Sequence, residues 1–356
     1  MARFIPIILA GGKGERFWPV SRLERPKQFL CLDGGDRSLL QSTADRLLPL
    51  AGWEDLFVIT ASHLAEGVRA QLPDIPHDNI LVEPQGRDTA PAVAWATLEV
   101  AKRYGDEAVC AFFPADHYIT DVERYCDTLR AAAEMAVNVG AIATLGIQPT
   151  FPSTGYGYIE QGADAGTFSA GVVTDLPAYK VNRFAEKPDK ATAETFVESG
   201  RYSWNSGIFI FPAAVMLGEL KEHAPEMTQA LMEKGVDAYA TLEKLSIDYA
   251  VMEKTERAYV VPASFGWDDL GDWNAVERLL KGNDENVELC QHVCRDTKSS
   301  ILYSADPDEV IVTIGLEDVV VVRDGNATLI VKKDRTQEIK QAVKALGAED
   351  KFQHLL

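Results

Sequence analysis

The 356-residue chain contains no apolar run approaching eighteen residues and no N-terminal stretch with the charged head, long apolar centre and cleavage site of a secretory leader. Neither a helical membrane span nor an exported fate is signalled, and a soluble, cytoplasmic protein is expected. Its five cysteines (Cys31, Cys110, Cys126, Cys290 and Cys294) are odd in number and form no C-x2-C pair. Neither a disulfide framework nor a zinc site follows from them, and reduced, buried thiols are expected. Basic charge is scarce: 35 Lys and Arg stand against 54 Asp and Glu, for a net charge of −19 and a pI near 4.8. A field of that sign repels nucleic acid and anionic membrane, so no partner of either kind is expected and any anionic ligand must be gripped locally. No Ser/His/Asp or Cys/His set stands out, and there is no fixed-period repeat or low-complexity linker.

With 46% hydrophobic and 25% charged residues, the chain is ordinary globular material, long enough for one large domain and a smaller one. Short apolar runs ("FIPIILA", "LFVIT", residues Asn79 to Glu83, "AVCAFF", "AIATLGI") alternate with helix-period segments ("LLQSTADRLLPL", "APAVAWATLEVAKRY", "TLRAAAEMAVNVG"). That alternation predicts βαβ units and an α/β fold whose mostly parallel sheet is covered on both faces. Pro6 weakens the first strand without cancelling it. Thr89 is placed as the cap of a helix with Pro91 in its first turn. From Gly155 strands with fewer helices suggest an extension of the sheet. After about Asn283 four β-branched runs, "SSILYS", "EVIVTIG", "DVVVVRD" and "ATLIVKK", precede a helix-like tail from Asp334. Two domains are therefore expected, 1–282 and a small β-rich one at 283–356.

Against this acidic background, residues 9–29, "LAGGKGERFWPVSRLERPKQF", hold five bases and only two acids. A P-loop is excluded because Ile7 stands five before Gly12, and the dinucleotide fingerprint fails because Phe17 replaces its third glycine. A strand followed by a glycine-rich turn still offers backbone N–H groups to phosphate, with Gly11, Gly12 and Gly14 permitting close approach. Arg16 offers a planar fork and Lys27 a compact charge. The basic cluster thus reads as a polyphosphate grip, with a turn ringed by solvated bases as the competing reading; the prolines, which stiffen the loop, favour the first.

"GGKGERFWPVSRLERPK" resembles the signature loop of the sugar-nucleotide pyrophosphorylases, and "RPKQF" is similar to the branch that acts on mannose 1-phosphate with GTP. "EPQGRDTAPA", "FPADH", "GYGYIE", "FAEKPD", "WNSGIFIF", "SIDYAVMEK" and "FGWDDLGDW" follow in that family's order across roughly residues 5–275, and "GLEDVVVV" extends the likeness. The resemblance implies a Rossmann-like nucleotidyltransferase domain that moves GMP from GTP to mannose 1-phosphate, giving GDP-mannose and pyrophosphate. Another base or sugar, and a non-catalytic homologue that binds GDP-mannose, are the alternatives. Longer relatives append an isomerase barrel; its absence here implies no mannose-6-phosphate isomerase activity. A homodimer formed through the β-rich tail is expected.

The same resemblance assigns roles. Arg16 and Lys27 would be catalytic, while Asp116 and Asp269 look like the pair that holds Mg²⁺, a cation that suits hard oxygen ligands. From the residues alone, Asp116 capping a turn and a solvated Asp269 compete with that reading. Asp268 and Asp272 are decoys, the latter standing where the family often has serine. Gly157, Glu186, Lys187 and Asn205 would take the sugar phosphate, and Glu83 with the backbone around Asp88, an asparagine in many relatives, the guanine. His117 and Cys110 read as packing or turn residues. Trp18, Trp204, Trp267 and Trp273 read either as walls of the site or as core.

Overall fold

The computed structural model describes residues 2–32, 34–168 and 176–356, and the chain divides into two compact units. The first comprises residues 1–11, 44–114 and 119–267; the second comprises 12–43, 115–118 and 268–356. The second unit is thus assembled from three stretches of chain and follows different lines from the boundary at 282.

Nine strands form the first unit's sheet: β1 (Phe4–Ala10), β2 (Phe57–Ala61), β3 (Ile80–Glu83), β4 (Val109–Pro114), β5 (Ile142–Ile147), β6 (Tyr158–Phe168), β7 (Leu176–Ala185), β8 (Tyr202–Pro212) and β9 (Ala258–Ala263). Their order is β3-β2-β1-β4-β8-β5-β9-β7-β6, with β6 also paired to β8. The strands β1 to β4 are mutually parallel, and β5 is parallel to β9. Antiparallel β8 sits between β4 and β5, which makes the sheet mixed. Pro6 is tolerated inside β1 because it faces Ala111 of β4, one residue before the β2 ladder begins at Ile7.

Helices α1 (Leu39–Leu47), α2 (Ala65–Gln71), α3 (Thr89–Tyr104), α4 (Val122–Val139), α5 (Lys190–Ser199), α6 (Ala213–His223) and α7 (Pro225–Lys234) connect the strands. Their ends obey local chemistry. Asp88, not Thr89, caps α3: its carboxylate accepts from the Thr89 N–H at 2.8 Å, and Thr89 is already helical. Asp121 and Asp189 cap α4 and α5, each of which stops at a left-handed glycine, Gly140 and Gly200. Ile5, Ile7, Phe112, Phe211 and Ala94 share a buried core on one face of the sheet, and Ile8, Val58 and Phe113 are buried on the other, the two-sided burial that a parallel sheet requires.

The second unit's β-rich part adds two strands to the four read from sequence. Strands β10 (Val287–Leu289), β12 (Ile301–Ser304), β14 (Val319–Asp324) and β15 (Ala327–Lys332) make one sheet, while β11 (Gln291–Arg295) and β13 (Val310–Ile314) pair apart. Parallel pairing of β10 with β12, β12 with β14, and β11 with β13 stacks the chain in successive rungs. Helices α8 (Trp273–Leu280) and α9 (Ile339–Gly347) belong to the same unit. Its core joins the signature loop to the tail: Phe17 packs on Trp273 at 5.2 Å, with Trp18, Ile301, Val320 and Ile339 buried around them. Trp18 and Trp273 are therefore core residues. The thiols depart from expectation: Cys110 and Cys126 are buried and Cys290 is half-buried, but Cys31 and Cys294 are exposed.

Candidate active site

In the second unit a cavity of about 420 Å³ is lined by Lys13, Gly14, Arg16, Lys27, Asp116, His117, Asp269 and Lys340 among others. Lys27 organises it. Only 5% exposed, its ammonium donates to Asp116 Oδ2 at 2.8 Å and to the Asp269 carbonyl at 2.6 Å. Burial would lift the Asp116 carboxyl, but the charges of Lys27 and His117 and the Lys27 hydrogen bond hold it below the usual carboxylate range. The geometry explains Gly14: it has φ +64°, and a Cβ there would meet the Lys27 Cβ at 2.3 Å. This glycine makes room for the lysine. A Cβ on Gly11 or Gly12 would meet open space.

The five bases divide. Lys13, Arg16 and Lys27 line the cavity, with Arg16 Nη1 at 3.5 Å from the Gly271 carbonyl. Arg25 instead donates to the Val20 carbonyl and pairs with Asp324, and Arg22 donates to the Leu355 carbonyl. The basic run therefore serves the fold as well as the cavity.

The three neighbouring acids also separate. Asp268 forms a two-pronged pair with Arg278. Asp272, 8% exposed, caps α8 and accepts from the Thr336 hydroxyl at 2.8 Å and the Gln337 amide at 2.7 Å. Asp269 is the one that lines the cavity with Asp116. Two carboxylates on one cavity wall supply the hard oxygen donors that suit magnesium, whereas His117, which lines the same cavity, does not. Its presence there goes beyond a turn role.

The first unit gathers the residues read as sugar contacts. A Cβ on Gly157 would lie 2.6 Å from Glu186 Oε2 and 3.4 Å from the Asn205 Cβ, so glycine is what lets these three converge. Asn205 donates from its backbone to the Gly157 carbonyl at 2.8 Å and from its side chain to Asp248 at 3.2 Å. Lys187 pairs with Glu186 and holds a left-handed φ of 46°. Partial burial opposes its charge, but the hydrogen bond and charge of Glu186 prevail and raise its pKa. Asp248, which sequence reasoning missed although "SIDYAVMEK" contains it, is lifted to about 6 by burial and by the charge of Glu186.

Glu83 and Asp88 have different surroundings. Glu83 is 7% exposed; burial lifts its carboxyl to about 7, the neighbouring Tyr239 hydroxyl pulls it down and Asp88 adds to the rise. Its Oε1 finds no hydrogen-bond partner of good geometry. Asp88 is exposed, and its side chain is committed to capping α3. Cys110 is fully buried and its thiol is pushed far up by burial, in keeping with packing. Trp204 lies 4.9 Å from Tyr156, which in turn faces Trp267 at 5.5 Å. Lys340, on α9, also lines the cavity, a tertiary position that no local motif announces.

Residues 5–285 match the family model described as nucleotidyl transferase, and residues 290–346 match one described as a MannoseP isomerase/GMP-like beta-helix domain. Xanthan biosynthesis protein XanB of Xanthomonas campestris is 39% identical over 96% of this chain and 73% of its own length. The mannose-1-phosphate guanylyltransferase of Escherichia coli K12 is 36% identical over 99% of this chain and 75% of its own. A crystal structure from Thermus thermophilus, described as a mannose-1-phosphate geranyltransferase, is 36% identical with a TM-score of 0.85, covering 97% of this chain and 99% of that one. No helix among the described residues is long and apolar enough to cross a membrane.

Proposed function

This chain belongs to the nucleotidyl transferase family, in its mannose-1-phosphate guanylyltransferase branch, and we propose that it transfers GMP from GTP to mannose 1-phosphate by direct in-line attack, giving GDP-mannose and pyrophosphate. The observation that carries this reading is the Lys27 ammonium held between Asp116 and Asp269 on a wall shared with Lys13 and Arg16. Such a wall accepts a polyphosphate whose charge an otherwise acidic protein would repel.

The nucleophile is the sugar phosphate itself. A phosphate monoester loses its second proton at about pH 6, so no general base is needed and alignment with charge neutralisation suffices. Arg16 and Lys27 would hold the triphosphate in this reading, with the loop N–H groups at Gly11, Gly12 and Gly14. Glu186 and Asn205 would bind the sugar hydroxyls, Gly157 would admit the ring, and Lys187 would meet the phosphate. Guanine recognition would fall to the Asp88 backbone more readily than to the buried Glu83 carboxyl. Asp116 and Asp269 would hold Mg²⁺, which when bound would supply neutralisation of phosphate charge.

Residues 1–282 would act as the transferase domain, and 283–356 as the surface on which two copies pair. Val293, Val310, Val312 and Ile314 support the latter, since they are exposed on one face of β11 and β13. Measuring pyrophosphate release across four nucleoside triphosphates and several sugar 1-phosphates tests the reaction. The reading requires release with GTP and mannose 1-phosphate; silence with every pair would instead favour a binding-only homologue. A monomer in sedimentation would remove the pairing.

A further inference from the structure

The two-residue period of strand β11 puts His292 and Cys294 on one face, opposite Gln291, Val293 and Arg295. The His292 side chain is wholly buried and both ring nitrogens are fixed, Nδ1 at 2.8 Å from Glu288 Oε1 and Nε2 at 2.8 Å from Thr313 Oγ1. Thr313 is the register partner of Cys294 on β13, so hydroxyl, imidazole and thiol belong to adjacent rungs. One ligand atom each from Glu288, His292 and Cys294 lies within 4.8 Å of the other two. We propose that these three side chains form a zinc site in the β-rich tail, separate from the transfer chemistry.

The donor chemistry selects the metal. Carboxylate oxygen, imidazole nitrogen and thiolate sulfur together suit Zn²⁺ and not Mg²⁺. With bonds of about 2.0 Å to nitrogen and about 2.3 Å to sulfur, ligand atoms around tetrahedral zinc stand roughly 3.5 Å apart, within reach of the present spacing by small side-chain rotations. The Thr313 hydroxyl supplies the outer contact that ligating histidines commonly have, fixing the ring while Nδ1 faces Glu288. Exposure of Cys294 and of two-fifths of the Glu288 side chain gives the ion a way in and leaves its fourth position to water. Cys290, between Glu288 and His292 in sequence, is half-buried and is not among the three side chains that converge. The spacing E-x3-H-x-C contains no cysteine pair, so the C-x2-C signature of zinc is absent from it.

The test uses the full chain without a histidine tag, stripped with chelator and re-loaded with Zn²⁺ or Co²⁺. The proposal expects one zinc retained per chain after gel filtration, and a thiolate-to-cobalt absorption band with Co²⁺. Cys294→Ser should abolish the band, and the exposed Glu288→Gln should weaken zinc roughly tenfold to a hundredfold. Because His292 is buried, His292→Gln is read only alongside these two. Zinc that fails to remain bound, or a cobalt band that persists in Cys294→Ser and so arises from another thiol, overturns the site and leaves Glu288 and His292 as a plain hydrogen-bonded pair.

Discussion

Asp116 in the second unit and Asp248 in the first are both half-buried aspartates with a lysine nearby, and their carboxyls move in opposite directions. Burial lifts both. At Asp116 the Lys27 ammonium is in direct hydrogen-bond contact and the carboxyl ends below its ordinary range. At Asp248 the charge of Lys187 pulls the carboxyl down, but that lysine is engaged by Glu186, whose own negative charge adds to burial, and the carboxyl rises to about 6. One cluster is thus a preformed cation–anion grid suited to phosphate. The other is a set of carboxyls and an amide suited to hydroxyl groups. What differs is which acid the lysine touches.

Breaking the grid gives the largest expected effect. Lys27→Met removes a buried cation together with the hydrogen bonds to Asp116 and Asp269, and kcat is expected to fall roughly a thousandfold, the cost of losing a preorganised charge; Asp116→Ala is expected to abolish turnover. Carboxyl titration by NMR sharpens the test, because Asp116 must rise in Lys27→Met. An Asp116 that titrates as low as before would show that the lysine is not what separates the two aspartates.

Glu83 extends the comparison to an acid with no cation. Its carboxyl is lifted from 4.5 to about 7, so the stability this group confers is present below about 4.5 and lost as pH rises through 7. That gap corresponds to about 3 kcal/mol of destabilisation at alkaline pH. In urea titrations Glu83→Gln is therefore expected to exceed the parent by about that much near pH 8.5 and by less than about 1 kcal/mol near pH 5. An equal difference at both values would mean that the carboxyl is not held against its charge.

The sheet was legible because each parallel strand is a short apolar run between helix-period segments, and the glycine loop because its spacing eliminates two other phosphate loops. Strands β10 and β11 were not, since "VEL" and "QHVCR" are too short and too polar to show an apolar run. The cap of α3 was misplaced by one residue because both Asp88 and Thr89 are capable caps, and only the backbone decides. Residue types could not tell Asp268, Asp269 and Asp272 apart; Arg278, Thr336 and Gln337 do so from 10, 64 and 65 residues away. Arg22 and Arg25 looked like phosphate ligands for the same reason: their partners, Leu355 and Asp324, are remote in sequence.

Lys187 offers a smaller, more selective perturbation. Its side chain is largely exposed and bound to Glu186, so Lys187→Ala is expected to raise the KM for mannose 1-phosphate by about ten- to a hundredfold, the worth of a charge-assisted contact, with kcat nearly unchanged. A loss confined to kcat would move Lys187 from binding into the reacting centre and erase the contrast with Lys27.

Lys340 carries the smallest expected effect and tests how far the grid extends. It reaches the cavity wall from α9 as an exposed cation, without the buried partners that fix Lys27. Water and salt screen such a charge, so Lys340→Gln is expected to raise the KM for GTP only severalfold at low ionic strength, and by nothing measurable at about 0.5 M salt. Lys27→Met, acting through buried contacts, is expected to keep its deficit at both. If the two variants respond to salt alike, burial is not what distinguishes the central lysine from its neighbours, and the grid is no more than a sum of surface charges.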